Sequence, residues 1–119
     1  MGHVRVKVRI AHPNRRNQPV EVADALVDTG ASFTTVPRQL ADQLGLEVLG
    51  KHRTRTANGT IDIDRSFAYI ECDGRDEVMP VWVSDSSPGV LIGVFTLEAL
   101  GLAVDPGTGQ LTSSEFLLL

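Results

Sequence analysis

The chain has 119 residues, 42% of them apolar and 22% charged, with a net charge of −4; that is the make-up of a soluble globular chain, with enough length for one core. Its single cysteine, Cys72, excludes an internal disulfide and fits a reducing, cytoplasmic setting, and no apolar run is long enough for a membrane span. Basic residues gather only in small groups, at Arg5 to Arg9, Arg15 and Arg16, and Lys51 to Arg55, which on an acidic chain reads as solvated surface and not as a nucleic-acid site.

The first element is HVRVKVRI, His3 to Ile10, where valines alternate with basic residues as in a half-buried strand. The N-terminus shows no secretory apolar region, and Val6 stands where a myristoylation signal needs Ser or Thr. After the loop HPNRRNQP, a second strand opens with Val20 and Val22, but Asp24 falls where the next apolar residue belongs. A bulge at Ala23 and Asp24 would turn that carboxylate outward. Ala25, Leu26 and Val27 then run without a polar break into Asp28-Thr29-Gly30. Next comes FTTVP, a brief β-branched strand. Pro37 suits the first turn of a short helix carrying Leu40, Ala41 and Leu44, and Gly45 is a natural left-handed stop.

Two strands, Lys51 to Thr56 and Thr60 to Ile70, flank Ala57-Asn58-Gly59, where Asn-Gly predicts a type I′ hairpin turn. Asp73-Gly74 marks a second tight turn. Val78 to Val83 forms another strand, in which Pro80 indicates an edge or an end. SDSSPG is a loop, VLIG a short buried strand, and Phe95 to Leu100 a second short helix ended by Gly101. LAVDPGTGQL closes on a last hairpin. The reading is one all-β domain over residues 1–119, with a core at about 4–111 and an apolar tail at 112–119. A faint repeat runs through it: Leu44 to Val48 (LGLEV) matches Leu100 to Val104 (LGLAV) at an offset of 56 (101 − 45). The same shift lays Thr34-Thr35-Val36 onto Val90-Leu91-Ile92.

Asp-Thr-Gly is weak as a bare turn motif. Its setting sharpens it, because an exposed hairpin turn has no use for apolar strands pressing on both sides. The pattern apolar-apolar-Asp-Thr-Gly-Ala at Leu26 to Ala31, a hairpin at Asn58-Gly59, and VLIG followed by a helix resemble, in that order, the single-domain retropepsin-like aspartic proteases. The resemblance covers about Val4 to Leu111. It implies a closed β-barrel equivalent to half of a pepsin-like bilobal fold, and aspartic endopeptidase activity on peptides or unfolded protein. It makes Asp28, Thr29 and Gly30 catalytic, with Thr29 bonding across to a partner loop. Gly30 is expected to let the backbone turn. Ala57, Asn58 and Gly59 become a flap tip, and Ala31 and Ile92 substrate contacts, with Leu26 and Val81 also at the pocket. Ala31 in place of Ser implies work at mildly acidic to near-neutral pH.

Hydrolysis without a metal or a covalent intermediate needs a base for the water and an acid for the substrate, and two carboxylates sharing one proton supply both. This chain carries one such loop. Asp24 lies about 13 Å along the strand from Asp28, and Asp73-Gly74 and Asp105-Pro106-Gly107 read as hairpin turns. The second Asp28 is therefore expected from a second copy, in a twofold homodimer. The resemblance lets Val4 to Val8 and Phe116 to Leu119 pair across it. Elsewhere, Arg53, Arg55, Asp62 and Asp64 form a cross-strand ionic ladder. Trp82 and Tyr69 are core or pocket walls. His3, His12 and His52 have no metal-ligand spacing, so neither metal nor cofactor is expected. The alternative is a catalytically silent module on the same fold that dimerises or binds extended peptide by strand addition.

Overall fold

A computed structural model describes residues 4–114. In order, it contains β1 (Val4–Ala11), β2 (Val20–Val27), β3 (Thr34–Pro37), α1 (Arg38–Leu44), β4 (Gly50–Thr56), β5 (Gly59–Cys72), β6 (Arg75–Ser84), β7 (Leu91–Ile92), α2 (Val94–Ala99), β8 (Leu102–Asp105) and β9 (Gln110–Ser113). The fold is mostly β with two short helices, as the alternating and β-branched runs require. Among the described residues no helix is long and apolar enough to cross a membrane.

Seven strands form one sheet in the order β1-β2-β7-β3-β6-β5-β4, and an added β1–β5 pairing closes it into a barrel. Both β1 and β4 use the same edge of β5. Glu71, Ile70 and Tyr69 pair with Arg9 to Ala11 of β1, while Gly59 to Arg65 pair with β4. Inside the barrel lie Val8, Ile10, Ala25, Val36, Ala68, Ile70, Met79, Val81, Val83 and Ile92, each at most 2% exposed. Full burial of a side chain of Val or Ile size stabilises by about 1.5–3 kcal/mol, so this set contributes strongly to holding the barrel.

The expected bulge is present. Val8 pairs with Val22 and Val6 with Ala25, so Ala23 and Asp24 together oppose Lys7. Both are exposed, and alternation resumes with Ala25 buried. Each helix ends on a left-handed glycine, Gly45 and Gly101, both at φ 69°. Arg75 closes the second one by donating to the carbonyls of Leu100 and Gly101 and to Ser113 Oγ. Pro80 lies just before β6 gains its second neighbour, since β3 pairs with β6 only from Val81 onward. One side of the strand is open there, and the missing N–H costs no ladder bond.

The turn chemistry differs from expectation at the long hairpin. Its loop is Ala57-Asn58, with Thr56 paired to Gly59, and of these residues Gly59 alone has positive φ, 119°. A type I′ turn needs positive φ at both loop residues. Here Thr56 Oγ1 instead accepts from Asn58 N–H at 3.2 Å and donates to Gly59 O at 2.9 Å, which stabilises a different turn. The double positive φ occurs at Asp73 (55°) and Gly74 (77°), between paired Cys72 and Arg75.

The sequence repeat is a repeat of structure. Leu26 and Val27 pair with Leu91 and Ile92. Adding 56 to the first pair and subtracting it from the second gives Trp82 and Val83 beside Thr35 and Val36, which is the observed register. The two units meet where Thr35 pairs antiparallel with its own equivalent, Leu91. Of the expected tail, Thr112 and Ser113 belong to β9; Phe116 to Leu119, and with them the expected pairing across a dimer, lie outside the described residues, as does His3.

Candidate active site

Asp28 follows directly on β2, and its own N–H still donates to Ile92 O at 2.9 Å, one step beyond the β2–β7 ladder. Successive side chains alternate sides. Val27 is buried, while Leu26 and Asp28 face the other way, half-buried and exposed. The carboxylate is thus aimed out of the barrel wall from a fixed backbone. Gly30 N–H donates to Asp28 Oδ1 at 2.9 Å, and Ala31 N–H to Asp28 O at 3.1 Å.

Gly30 is not there for a left-handed turn, and a side chain in its place would crowd the Asp28 carboxylate. It is absent from the positive-φ residues, and a Cβ there would stand 3.2 Å from Asp28 Oδ1. Thr29 is exposed, and among the described residues its hydroxyl has no hydrogen-bond partner. The loop is closed from behind by the start of α2. Val94 N–H donates to Ala31 O at 2.8 Å and Phe95 N–H to Ser32 O at 2.9 Å. Gly93 has no room for a side chain, since a Cβ would meet Phe33 C at 2.6 Å and Ser32 C at 2.8 Å.

Thr34 holds the same junction from inside. Its buried hydroxyl lies 2.5 Å from Thr96 Oγ1 and 3.2 Å from Gly93 N–H. Neither threonine stands out in the sequence, because their pairing spans 62 residues. The repeat makes Thr34 the equivalent of Val90 (90 − 34 = 56), which marks its strand but not the role of its hydroxyl.

The sheet register defines a row across the outer face: Leu26, Leu91, Thr35, Trp82 and Arg65 are successive partners. The first four are half-buried. Ile92 and Val81, expected at a pocket, instead point into the core at 2% and 0% exposure. Their strand neighbours Leu91 and Trp82 take the outward positions. What Ile92 brings to the loop is its carbonyl. A cavity of about 390 Å³ opens beside this row, lined by Arg5, Leu26, Leu40, Gly89 and Leu91 among others.

From the loop, aromatic rings lead toward the long hairpin. Phe33 lies 5.5 Å from Phe95 and 5.1 Å from Trp82, and Trp82 lies 6.2 Å from His52 on β4, centroid to centroid. Tyr69, by contrast, is buried and donates to Asp76 Oδ2 at 2.7 Å. The hairpin tip, Ala57 to Gly59, is exposed, and among the described residues no hydrogen bond joins it to the Asp28 loop.

Along the hairpin arms the ionic ladder is partly as expected. Arg53 faces Asp62 at 3.5 Å, whereas Asp64 is met by Lys51 and Arg38, and Arg55 stands opposite Thr60. The hydrogen bond from Arg38 holds the Asp64 carboxyl below the usual carboxylate range. Burial pushes the Cys72 thiol up, so it stays a protonated, unreactive thiol. The remaining acidic turns differ from the first. Asp73 is a tight-turn residue, and Asp105 folds back to accept Gly107 N–H at 2.8 Å within an isolated two-stranded hairpin.

Residues 6–96 match the aspartyl protease family. No curated protein matches the chain. Among solved structures, the chain is similar to EIAV protease complexed with the inhibitor HBY-793, at 18% identity over 98% of this chain and 94% of that one, with a TM-score of 0.63. The retroviral protease-like domain of Ddi1 from Leishmania major is similar at 18% identity over 95% and 90%, TM-score 0.62. A retropepsin-like aspartic protease from Rickettsia conorii is similar at 21% identity over 87% and 77%, TM-score 0.61. At these identities the likeness shows the fold, which is that of the retropepsins.

Proposed function

The chain belongs to the aspartyl protease family, and from that premise we propose that it is an aspartic endopeptidase working as a homodimer, with Asp28 of each copy meeting at a twofold axis. One observation carries this reading. Asp28 is fixed by its backbone at the end of a barrel strand, while Asp28, Thr29 and Gly30 are all exposed among the described residues. A single copy leaves the loop without a second carboxylate, and a twofold partner would supply one and cover both. Thr29, whose hydroxyl has no hydrogen-bond partner among the described residues, would then bond to the opposite loop.

In such a pair the two carboxylates stand too close for both to ionise, so they share one proton. The ionised one takes a proton from a water held between them, and that water attacks the scissile carbonyl carbon. The protonated one donates to the carbonyl oxygen, giving a tetrahedral diol. Collapse of the diol transfers a proton to the leaving nitrogen and restores the shared state. Ala57, Asn58 and Gly59 would close over an extended peptide. Ala31 and the half-buried row of Leu26, Leu91 and Trp82, with the 390 Å³ cavity beside it, would take its side chains. Neither metal nor cofactor enters this scheme. A cytoplasmic setting accompanies the reading, supported by one buried, unpaired cysteine.

The test is incubation of unfolded protein with the parent and with Asp28→Asn between mildly acidic and neutral pH. Cleavage by the parent and a loss of at least about a thousandfold in the variant are expected, because the swap keeps shape and removes the shared proton. If neither protein cuts while both dimerise and bind extended peptide, the chain is the silent binding module instead.

A further inference from the structure

The long hairpin leaves the barrel at one residue. β6 runs beside β5 only from Asp64, opposite Val83, whereas β4 runs beside β5 from Gly59 to Arg65. Gly59 to Ile63 are therefore held on one edge, and Asp64 is the first residue held on both. Thr60, Ile61 and Asp62 are exposed, yet Asp64 keeps only 7% exposure. A carboxylate buried there needs partners. Lys51, directly opposite on β4, approaches at 3.4 Å, and Arg38 Nη2 donates at 2.7 Å.

Lys51 is part of the hairpin, but Arg38 is not, since it opens α1. Its Nε also donates to Asp85 Oδ1 at 2.9 Å. Asp85 follows directly on β6 and begins the loop whose Pro88, Gly89 and Val90 line the 390 Å³ cavity, as does Pro37 beside Arg38. One guanidinium thus fastens the root of the hairpin, the start of a helix and the loop at the cavity. The Asp85 carboxylate is 76% exposed, so its bond adds little stability. What the planar fork supplies is direction, with two bonds at a fixed angle that a lysine ammonium does not reproduce.

We propose that Arg38 is a positioning residue for the substrate groove: by holding Asp64 and Asp85 together it sets the flap root and the cavity loop relative to one another. The kinetic half of this inference rests on the protease reading, and the structural half does not.

The test uses the full chain with Arg38→Gln, Arg38→Lys and Asp85→Asn. Amide hydrogen exchange over Lys51 to Ile63 is expected to quicken about fivefold or more in Arg38→Gln while core amides of β3 and β7 stay slow, since local opening is separable from global unfolding. Arg38→Lys should fall between that variant and the parent, and Asp85→Asn should leave hairpin exchange unchanged. In peptide cleavage, KM should rise about fivefold or more in Arg38→Gln with kcat within about twofold, because the groove loses binding that ground and transition states share. A smaller rise in KM is expected for Asp85→Asn. Hairpin exchange equal to the parent's in Arg38→Gln, exchange that rises equally in hairpin and core, a loss confined to kcat, or an Arg38→Lys protein identical to the parent would each overturn the proposal. A parent that cuts no peptide would sink the protease reading, and the exchange comparison would still decide the role of Arg38.

Discussion

The two halves of this chain build the same corner twice and finish it differently. At an offset of 56, β2 corresponds to β6, β3 to β7, and the glycine stop of α1 to that of α2. The loops after β2 and β6 even share a local bond. Gly30 N–H donates to Asp28 Oδ1 at 2.9 Å, and Ser86 N–H donates to Ser84 Oγ at 3.2 Å. Yet Asp28 is exposed, while its equivalent Ser84 is 7% exposed and bonded to Ser86 of the following loop. The neighbouring carboxylate, Asp85, is engaged by Arg38. The corner is thus a scaffold that positions whatever residue ends the strand, and only the first half spends it on an outward acid. Internal symmetry does not supply the second carboxylate, which is why the account turns to a second molecule.

The sharpest way to break this comparison is to move the acid. In an Asp28→Asn background, Ser84→Asp should restore no cleavage and should cost about 3 kcal/mol of stability, because it buries an unpaired charge. Denaturant melts alongside peptide cleavage check both parts; recovered activity would mean that the second corner can serve as a site.

Next in size, the residue just before each helix differs as well: Gly93 in the second half stands where Pro37 stands in the first (93 − 37 = 56). Gly93→Ala would drive a methyl against the backbone of Ser32 and Phe33 and should cost about 2–3 kcal/mol, whereas Pro37→Ala should cost under about 1 kcal/mol. Equal midpoints in urea would show that the second half does not brace the Asp28 loop.

The smallest effect concerns pH. Asp64, on the hairpin side of the second corner, has its folded pKa lowered chiefly by the hydrogen bond from Arg38. Its contribution is fully present above the ordinary carboxylate pKa, about 3.9, and is lost as pH falls through the depressed folded value. Asp64→Asn should therefore be less stable at neutral pH and show a flatter acid limb. An unchanged acid limb in thermal melts taken across pH would contradict the ion pair.

Much of this was legible in the sequence wherever the cause was local. Alternation gave β1, the misplaced Asp24 gave the bulge, and Gly45 and Gly101 gave the helix ends. Asp28-Thr29-Gly30 drew notice because apolar strands flank it on both sides. Long-range causes were not legible. The Thr34–Thr96 contact, the Arg38 junction and the outward row of Leu26, Leu91 and Trp82 join residues that no periodicity links. Ile92 and Val81 looked like pocket walls because a short apolar strand does not reveal which side faces the core; pairing with Val27 and Thr34 decides it. At Asn58-Gly59 the dipeptide suggested one turn, and the hydroxyl of Thr56 stabilised another.

The central claim is tested most directly by mixing. Parent chain is titrated with Asp28→Asn chain under conditions that let subunits exchange, and cleavage is read against the parent fraction. If each site needs an acid from both copies, activity falls as the square of that fraction, to about one quarter of the all-parent value at an equal mixture held at constant total protein. A linear fall, to about one half at the same point, would mean that one chain carries its site alone.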